Sequence, residues 1–175
     1  KRHHLKVLED SCEAVFALFK GKPVGSFGDI ACFSTYVAHV IASGVGGVAV
    51  TNDKELAVIM RSMMSHGRDN IYISMDDRKG KKGKQLQEVV QKRFSFVRMG
   101  WSYRATEFEA AVALGQLHRV RSLLKARKRN AGILRKGLAL LPLEFPLNFE
   151  DRVSSWMMFP IIAREKKELV LFLEE

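Results

Sequence analysis

Apolar and polar positions along the chain alternate between short extended runs and stretches with helical spacing. Leu5 to Glu9 reads as a short apolar strand with Asp10 at its C-terminal end. Ser11 is placed to cap a helix through about Phe19, with Gly21 closing it. "GKPVGSFGD" is turn-rich. Ile30 to Ser34 and Gly47 to Thr51 are predicted strands. Asn52 followed by Glu55 resembles a capping box and opens the predicted helix "DKELAVIMRSMMSH", which Gly67 ends.

Asn70 to Arg98 breaks this rhythm. It is irregular and charged, with a short helix expected around Leu86 to Val90, and reads as an insertion or lid. Thr106 and Glu109 form another capping pattern. "FEAAVALGQL" is rich in small residues, so it suits close packing. A long helix then carries Val120, Leu124, Ala131, Leu134, Leu138 and Leu141 at near-helical spacing, until Pro142 and Pro146 break it. Ser155 to Ala163, "SWMMFPIIA", is predicted as a strand opening a second subdomain, and "REKKELVLFLEE" as a helix. Strands alternating with helices imply an α/β layered fold, and no internal repeat is visible.

Composition adds constraints. A chain of 175 residues with 47% hydrophobic and 27% charged content suits one domain with a core. No apolar run is long enough to span a membrane, so no membrane partner is expected. No signal peptide is visible. The chain lacks an initiator Met and ends within a helix-like stretch, so it reads as a piece of a longer protein. Cys12 and Cys32 form neither a disulfide framework nor a four-ligand metal site. Cys32 is expected as a buried free thiol, which fits a reducing cytoplasm.

The net charge of +10 first suggests a polyanion partner. Its basic residues gather in "DRKGKKGK" and "RVRSLLKARKRNAGILRK", a loop and a helix face without interleaved aromatics. A solvated basic surface is therefore expected, and no nucleic-acid partner.

Ligands of open α/β sheets bind beyond the carboxyl ends of the strands, and Asp10, Ser34 and His39 fall at or after such ends. A carboxylate can hold a protonated ring nitrogen, a hydroxyl can donate to a phosphate, and an imidazole can move protons near neutral pH. Each has a plainer reading. Asp10 also suits a helix N-terminus, Ser34 a capping hydroxyl, and His39 a structural role. The glycines of "SGVGG" suit a hairpin as well as a phosphate cradle.

Four ordered motifs carry more weight: "VLEDSCEA", "GKPVGSFGDIACFSTY", "GVGGVAVTNDKELA" and "MGWSYRATEFEAAVALGQL". In order and spacing they resemble the DegT/DnrJ/StrS-type sugar aminotransferase family, whose members are fold-type-I pyridoxal phosphate enzymes. The resemblance covers the chain apart from the charged insertion at about 70–98. It implies an aspartate-aminotransferase-like α/β fold. Residues 1–141 would be the C-terminal part of the cofactor-binding large domain with a connecting helix, and 142–175 the start of a truncated small domain. Family members are about twice this length. The upstream part would supply the first phosphate-binding loop and the aromatic residue stacked on the cofactor ring, so this piece alone would be inactive.

The resemblance also implies roles. Asp10 would pair with the pyridine nitrogen of pyridoxal 5'-phosphate or pyridoxamine 5'-phosphate. Glu13 matches a position near the cofactor that is often Gln or His. Ser34 would bind the phosphate. Ser102 aligns with an asparagine that reaches the phosphate of the other subunit's cofactor, and serine is the shorter side chain. The family pattern aromatic-Ser-aromatic-Tyr-Pro-Thr-Lys stands here as "FSTYVAH". His39 therefore occupies the position of the cofactor-linking lysine, Val37 replaces proline, and Val45 replaces the usual Glu of the glycine hairpin.

This substitution is similar to the branch of sugar 3-dehydrases that carry histidine there. That branch uses pyridoxamine phosphate on a nucleotide-linked 4-keto-6-deoxyhexose. Its iron–sulfur variant needs a cysteine cluster that two separated cysteines do not provide. Three readings follow: a 3-dehydrase-like enzyme with His39 as base, a sugar-nucleotide aminotransferase working without the lysine, and a non-catalytic sugar-nucleotide-binding homologue. The partners implied are a nucleotide-linked keto sugar in cell-surface polysaccharide or deoxysugar biosynthesis, an amino donor such as glutamate, and a second subunit in a homodimer.

Overall fold

The computed structural model describes residues 3–68, 79–147 and 149–175. The first strand, β1 (Leu8–Asp10), starts later than the expected run and reaches Asp10. The helix expected from Ser11 to Phe19 does not form. Two successive turns replace it, with Ala14 N–H donating to the Ser11 carbonyl (3.0 Å) and Ala17 N–H to the Ala14 carbonyl (3.0 Å). A hairpin of β2 (Leu18–Phe19) and β3 (Lys22–Pro23) follows. Ser11 N–H is held by the Cys32 carbonyl (2.9 Å), while Phe16 and Lys20 turn left-handed at φ 65° and 50°. So short a helix has little cooperative support, and sheet contacts outweigh it.

The strands β4 (Ile30–Ser34) and β5 (Gly47–Val50) match the expected runs, with Thr51 just outside. β1 lies parallel to β4, with Leu8 opposite Ile30 and Asp10 opposite Cys32. β4 lies antiparallel to β5, with Ala31 opposite Val50 and Ser34 opposite Gly47. The sheet order is β1-β4-β5. Helix α1 (Lys54–Met64) is capped by Asp53 rather than Asn52: the Asp53 carboxylate accepts the N–H groups of Glu55 (2.9 Å) and Leu56 (3.2 Å). A carboxylate there also complements the helix dipole.

Residues 70–78 of the expected insertion lie outside the described residues. Helix α2 (Gly83–Lys92) is longer than the expected Leu86–Val90 turn. Helix α3 (Glu107–Gly137) is one continuous element, opened by the expected capping box of Thr106 and Glu109. It stops at Gly137, so Leu138 and Leu141 fall beyond its end.

Three short strands follow: β6 (Leu143–Glu144), β7 (Arg152–Val153) and β8 (Ile162–Ala163), then helix α4 (Lys166–Glu174). β7 pairs with β2, and β6 with β8. The strand expected over Ser155–Ala163 is reduced to β8. Trp156 turns left-handed at φ 53°, and Pro160 offers no N–H to a ladder.

The buried hydrophobic residues among those described are Ala31, Val40, Ile41 and Ala131. The core thus centres on β4, the loop after it and one position of α3. Cys32 is half-buried rather than fully buried, because it borders an open groove beside β5. Among the described residues no helix is long and apolar enough to cross a membrane.

Candidate functional site

Alternation along β1 sends Glu9 and Asp10 to opposite faces. Glu9 anchors the loop after β3, accepting the N–H groups of Gly25 (2.8 Å), Phe27 (2.7 Å) and Gly28. Burial pushes its carboxyl up, but the three backbone donors together bring it below the usual glutamate range. Asp10 is exposed at the strand end and accepts the Cys12 N–H at 3.3 Å. The Cys12 thiol and N–H lower its carboxyl, and in return Asp10 raises the thiol. An ionised carboxylate therefore stands at the sheet edge. Glu13 is exposed in the turn that follows.

Ser34 ends the neighbouring parallel strand. Asp10 is level with Cys32, so Ser34 lies two residues further along the same face, about 6.6 Å in strand rise. Its Oγ accepts the Tyr36 N–H at 3.1 Å. That leaves the hydroxyl proton for another acceptor.

His39 follows in a tight turn. Its N–H donates to the Tyr36 carbonyl (2.9 Å), and its ring meets Tyr36 edge-on, 6.4 Å between centroids. The loop is tied on its return: Thr35 N–H donates to the Gly46 carbonyl (3.0 Å), Val37 N–H to the Gly44 carbonyl (3.1 Å), and Ser43 Oγ to Thr35 Oγ1 (2.7 Å). Gly44 and Gly46 have φ of 98° and 128°, which only glycine adopts without strain. The glycine run thus works as the hairpin turn that fixes the His39 loop between β4 and β5.

Ser102 is not brought into contact with Asp10, Ser34 or His39 among the described residues. It forms a backbone bridge with Ser65, just after α1. Its neighbours Trp101 and Tyr103 stack at 5.8 Å and line a groove of about 1180 Å³ along β5 and α1.

The profile of the DegT/DnrJ/EryC1/StrS aminotransferase family matches residues 1–175. The chain belongs to this family. It is 36% identical over 187 residues to the lipopolysaccharide biosynthesis protein RfbH of Salmonella typhimurium, covering 99% of this chain and 43% of that protein. It is 38% identical over 141 residues to GDP-perosamine synthase of Caulobacter vibrioides, covering 81% of this chain and 33% of that protein. Its fold superimposes on E. coli GDP-4-keto-6-deoxy-D-mannose-3-dehydratase with bound hydrated PLP. The TM-score is 0.81 at 28% identity, covering 97% of this chain and 44% of that one. The expected α/β fold of pyridoxal-phosphate-dependent aminotransferases is therefore present over nearly the whole chain. The chain spans well under half the length of these relatives.

In this family member the sequence reading missed the C-terminal segment that reaches the site. Met157 Sδ contacts His39 Nδ1 at 3.2 Å. Arg127 of α3 donates through Nη1 to the carbonyls of Trp156 (3.0 Å) and Met157 (2.8 Å). The signal in the sequence was the proline of "SWMMFP", which fits a strand interior poorly.

Proposed function

We propose that the full-length protein is a vitamin-B6-dependent enzyme removing the 3-hydroxyl of a nucleotide-linked 4-keto-6-deoxy sugar, with His39 as its base. The observation carrying this reading is the arrangement at one sheet edge: an ionised Asp10, Ser34 with a free hydroxyl proton, and a half-buried His39 in the next turn. This donor set fits pyridoxamine 5'-phosphate. Asp10 would hold the protonated ring nitrogen and Ser34 the phosphate, with Glu13 at the rim and Ser102 serving the cofactor of a second subunit. When bound, the cofactor supplies an amine for the sugar's keto group and an electron-withdrawing ring.

His39 contributes acid–base chemistry. Neutral imidazole takes up one proton at a ring nitrogen and returns it. It forms no covalent tie of the kind a lysine makes. An amino donor such as glutamate would restore the amine form of the cofactor. The work belongs to deoxysugar or cell-surface polysaccharide synthesis, and the assembly is a homodimer with residues 1–141 in the large domain and 142–175 opening the small one.

The 38% identity to GDP-perosamine synthase favours a second reading, amination of the same keto group. Incubating the full-length protein with pyridoxamine phosphate and a GDP- or dTDP-linked 4-keto-6-deoxy sugar separates the two. A 3-deoxy product supports dehydration, a 4-amino sugar supports amination, and bound cofactor without any product supports a non-catalytic homologue.

A further inference from the structure

We propose that Met157 is a positioning residue for His39, fixing the imidazole tautomer so that Nε2 is the basic atom. This rests on the reading of His39 as the base. A thioether sulfur accepts hydrogen bonds and cannot donate them. The 3.2 Å contact between His39 Nδ1 and Met157 Sδ therefore assigns the ring proton to Nδ1. In neutral imidazole the other nitrogen then carries the free lone pair. Nδ1 keeps its proton throughout, while Nε2 gains one and gives it back.

The contact is built from far away in the chain. Met157 lies 118 residues from His39. It is presented by a backbone that most side chains avoid: Trp156 sits at φ 53°, an outlier for a bulky residue. Such strain persists only where surrounding contacts impose it, and it collects at functional sites. Here the contacts are explicit. Ser154 Oγ accepts the Trp156 N–H at 3.0 Å, and Arg127 clamps the carbonyls of Trp156 and Met157. Arg127 shares one face of α3 with Ala131 and Arg135, and Arg135 donates to the Pro146 carbonyl at 2.7 Å. Two arginines of α3 thus hold the backbone at Pro146 and at 156–157, and one of them sets the sulfur against the imidazole.

The test is nitrogen NMR of the full-length protein carrying ¹⁵N-labelled histidine, at a pH where His39 is neutral, with His39→Asn identifying its signals. The expected result is an Nδ1 in the protonated range and an Nε2 in the unprotonated range. Met157→Leu keeps the volume and removes the acceptor, and should move the ring toward the Nε2–H form. Arg127→Gln should move it in the same direction, with the fold intact by circular dichroism. An Nε2–H tautomer in the parent, or an unchanged Nδ1–H tautomer in Met157→Leu, would overturn the proposal. Proton exchange in His39→Asn is a separate readout. Retained exchange there sinks the base reading while the tautomer result still decides the role of Met157.

Discussion

The Asp10 carboxylate accepts the Cys12 N–H at 3.3 Å, and its proximity to the thiol pulls the Asp10 carboxyl down while pushing the Cys12 thiol up. The strand end is thereby held as an anion and the thiol beside it as a neutral group. Asp10→Asn should abolish turnover and weaken cofactor binding roughly tenfold or more, since a neutral amide gives no charge-assisted bond to a protonated ring. Absorbance titration of the full-length variant with pyridoxal phosphate measures this. Parent-like affinity and turnover would return Asp10 to a purely local turn role.

Glu9 should govern acid stability. Its folded carboxyl lies below the ordinary value of 4.5. A lowered carboxylate contributes stability that is present above its unfolded pKa and lost as pH falls through its folded pKa. Glu9→Ala should cost about 1–3 kcal/mol at pH 7, because three backbone donors lose their acceptor. Denaturant midpoints should converge for parent and variant as pH falls below 4.5 and through the lowered folded pKa of Glu9. A gap that stays unchanged from neutral to strongly acidic pH would contradict the linkage.

Gly67 and Gly21 share a left-handed φ, 77° and 73°, but not their surroundings. A Cβ at Gly67 would overlap the Arg98 carbonyl, whereas among the described residues nothing lies within 4 Å of one at Gly21. Gly21→Ala should therefore cost about 1 kcal/mol, the conformational penalty alone. Gly67→Ala should cost several-fold more or abolish folding. Comparable melting temperatures for the two variants would contradict the crossing of backbones at Gly67 and Gly100.

The first half of α3 presents Phe108, Val112, Leu114 and Leu117 exposed, with Phe108 at 83%. They lie on two sides of the helix, Phe108 with Val112 and Leu114 with Leu117, and exposed apolar side chains grouped in this way mark association surfaces. The full-length protein should sediment as a dimer, and Leu114→Asp should shift it toward monomer. A parent that is monomeric while binding cofactor tightly would contradict the shared-site assembly.

Where side chains repeat with a clear period, the sequence was legible. Ile30–Ser34, Gly47–Val50, α1 and the capping box of α3 all follow from local pattern. The residues after Asp10 did not, because Ser11 is held by β4 and β2 finds its partner at Arg152–Val153, far along the chain. The end of the long helix was misplaced for a related reason: leucine spacing continues through Leu141, but the backbone leaves the helix after Gly137. Asp10, Ser34 and His39 could be marked from their strand ends. Met157 could not, since its place beside His39 depends on Arg127 and on a left-handed Trp156 that no local pattern announces.

The most direct test of the account is solvent deuterium exchange at the methylene carbon of pyridoxamine phosphate. It uses the full-length protein, a 4-keto-6-deoxy sugar nucleotide, and His39→Asn as comparison. The parent should incorporate deuterium, and His39→Asn should lose incorporation by about two orders of magnitude or more while still binding cofactor. Exchange and turnover at the parent's rate in His39→Asn would contradict the assignment of His39 as the base.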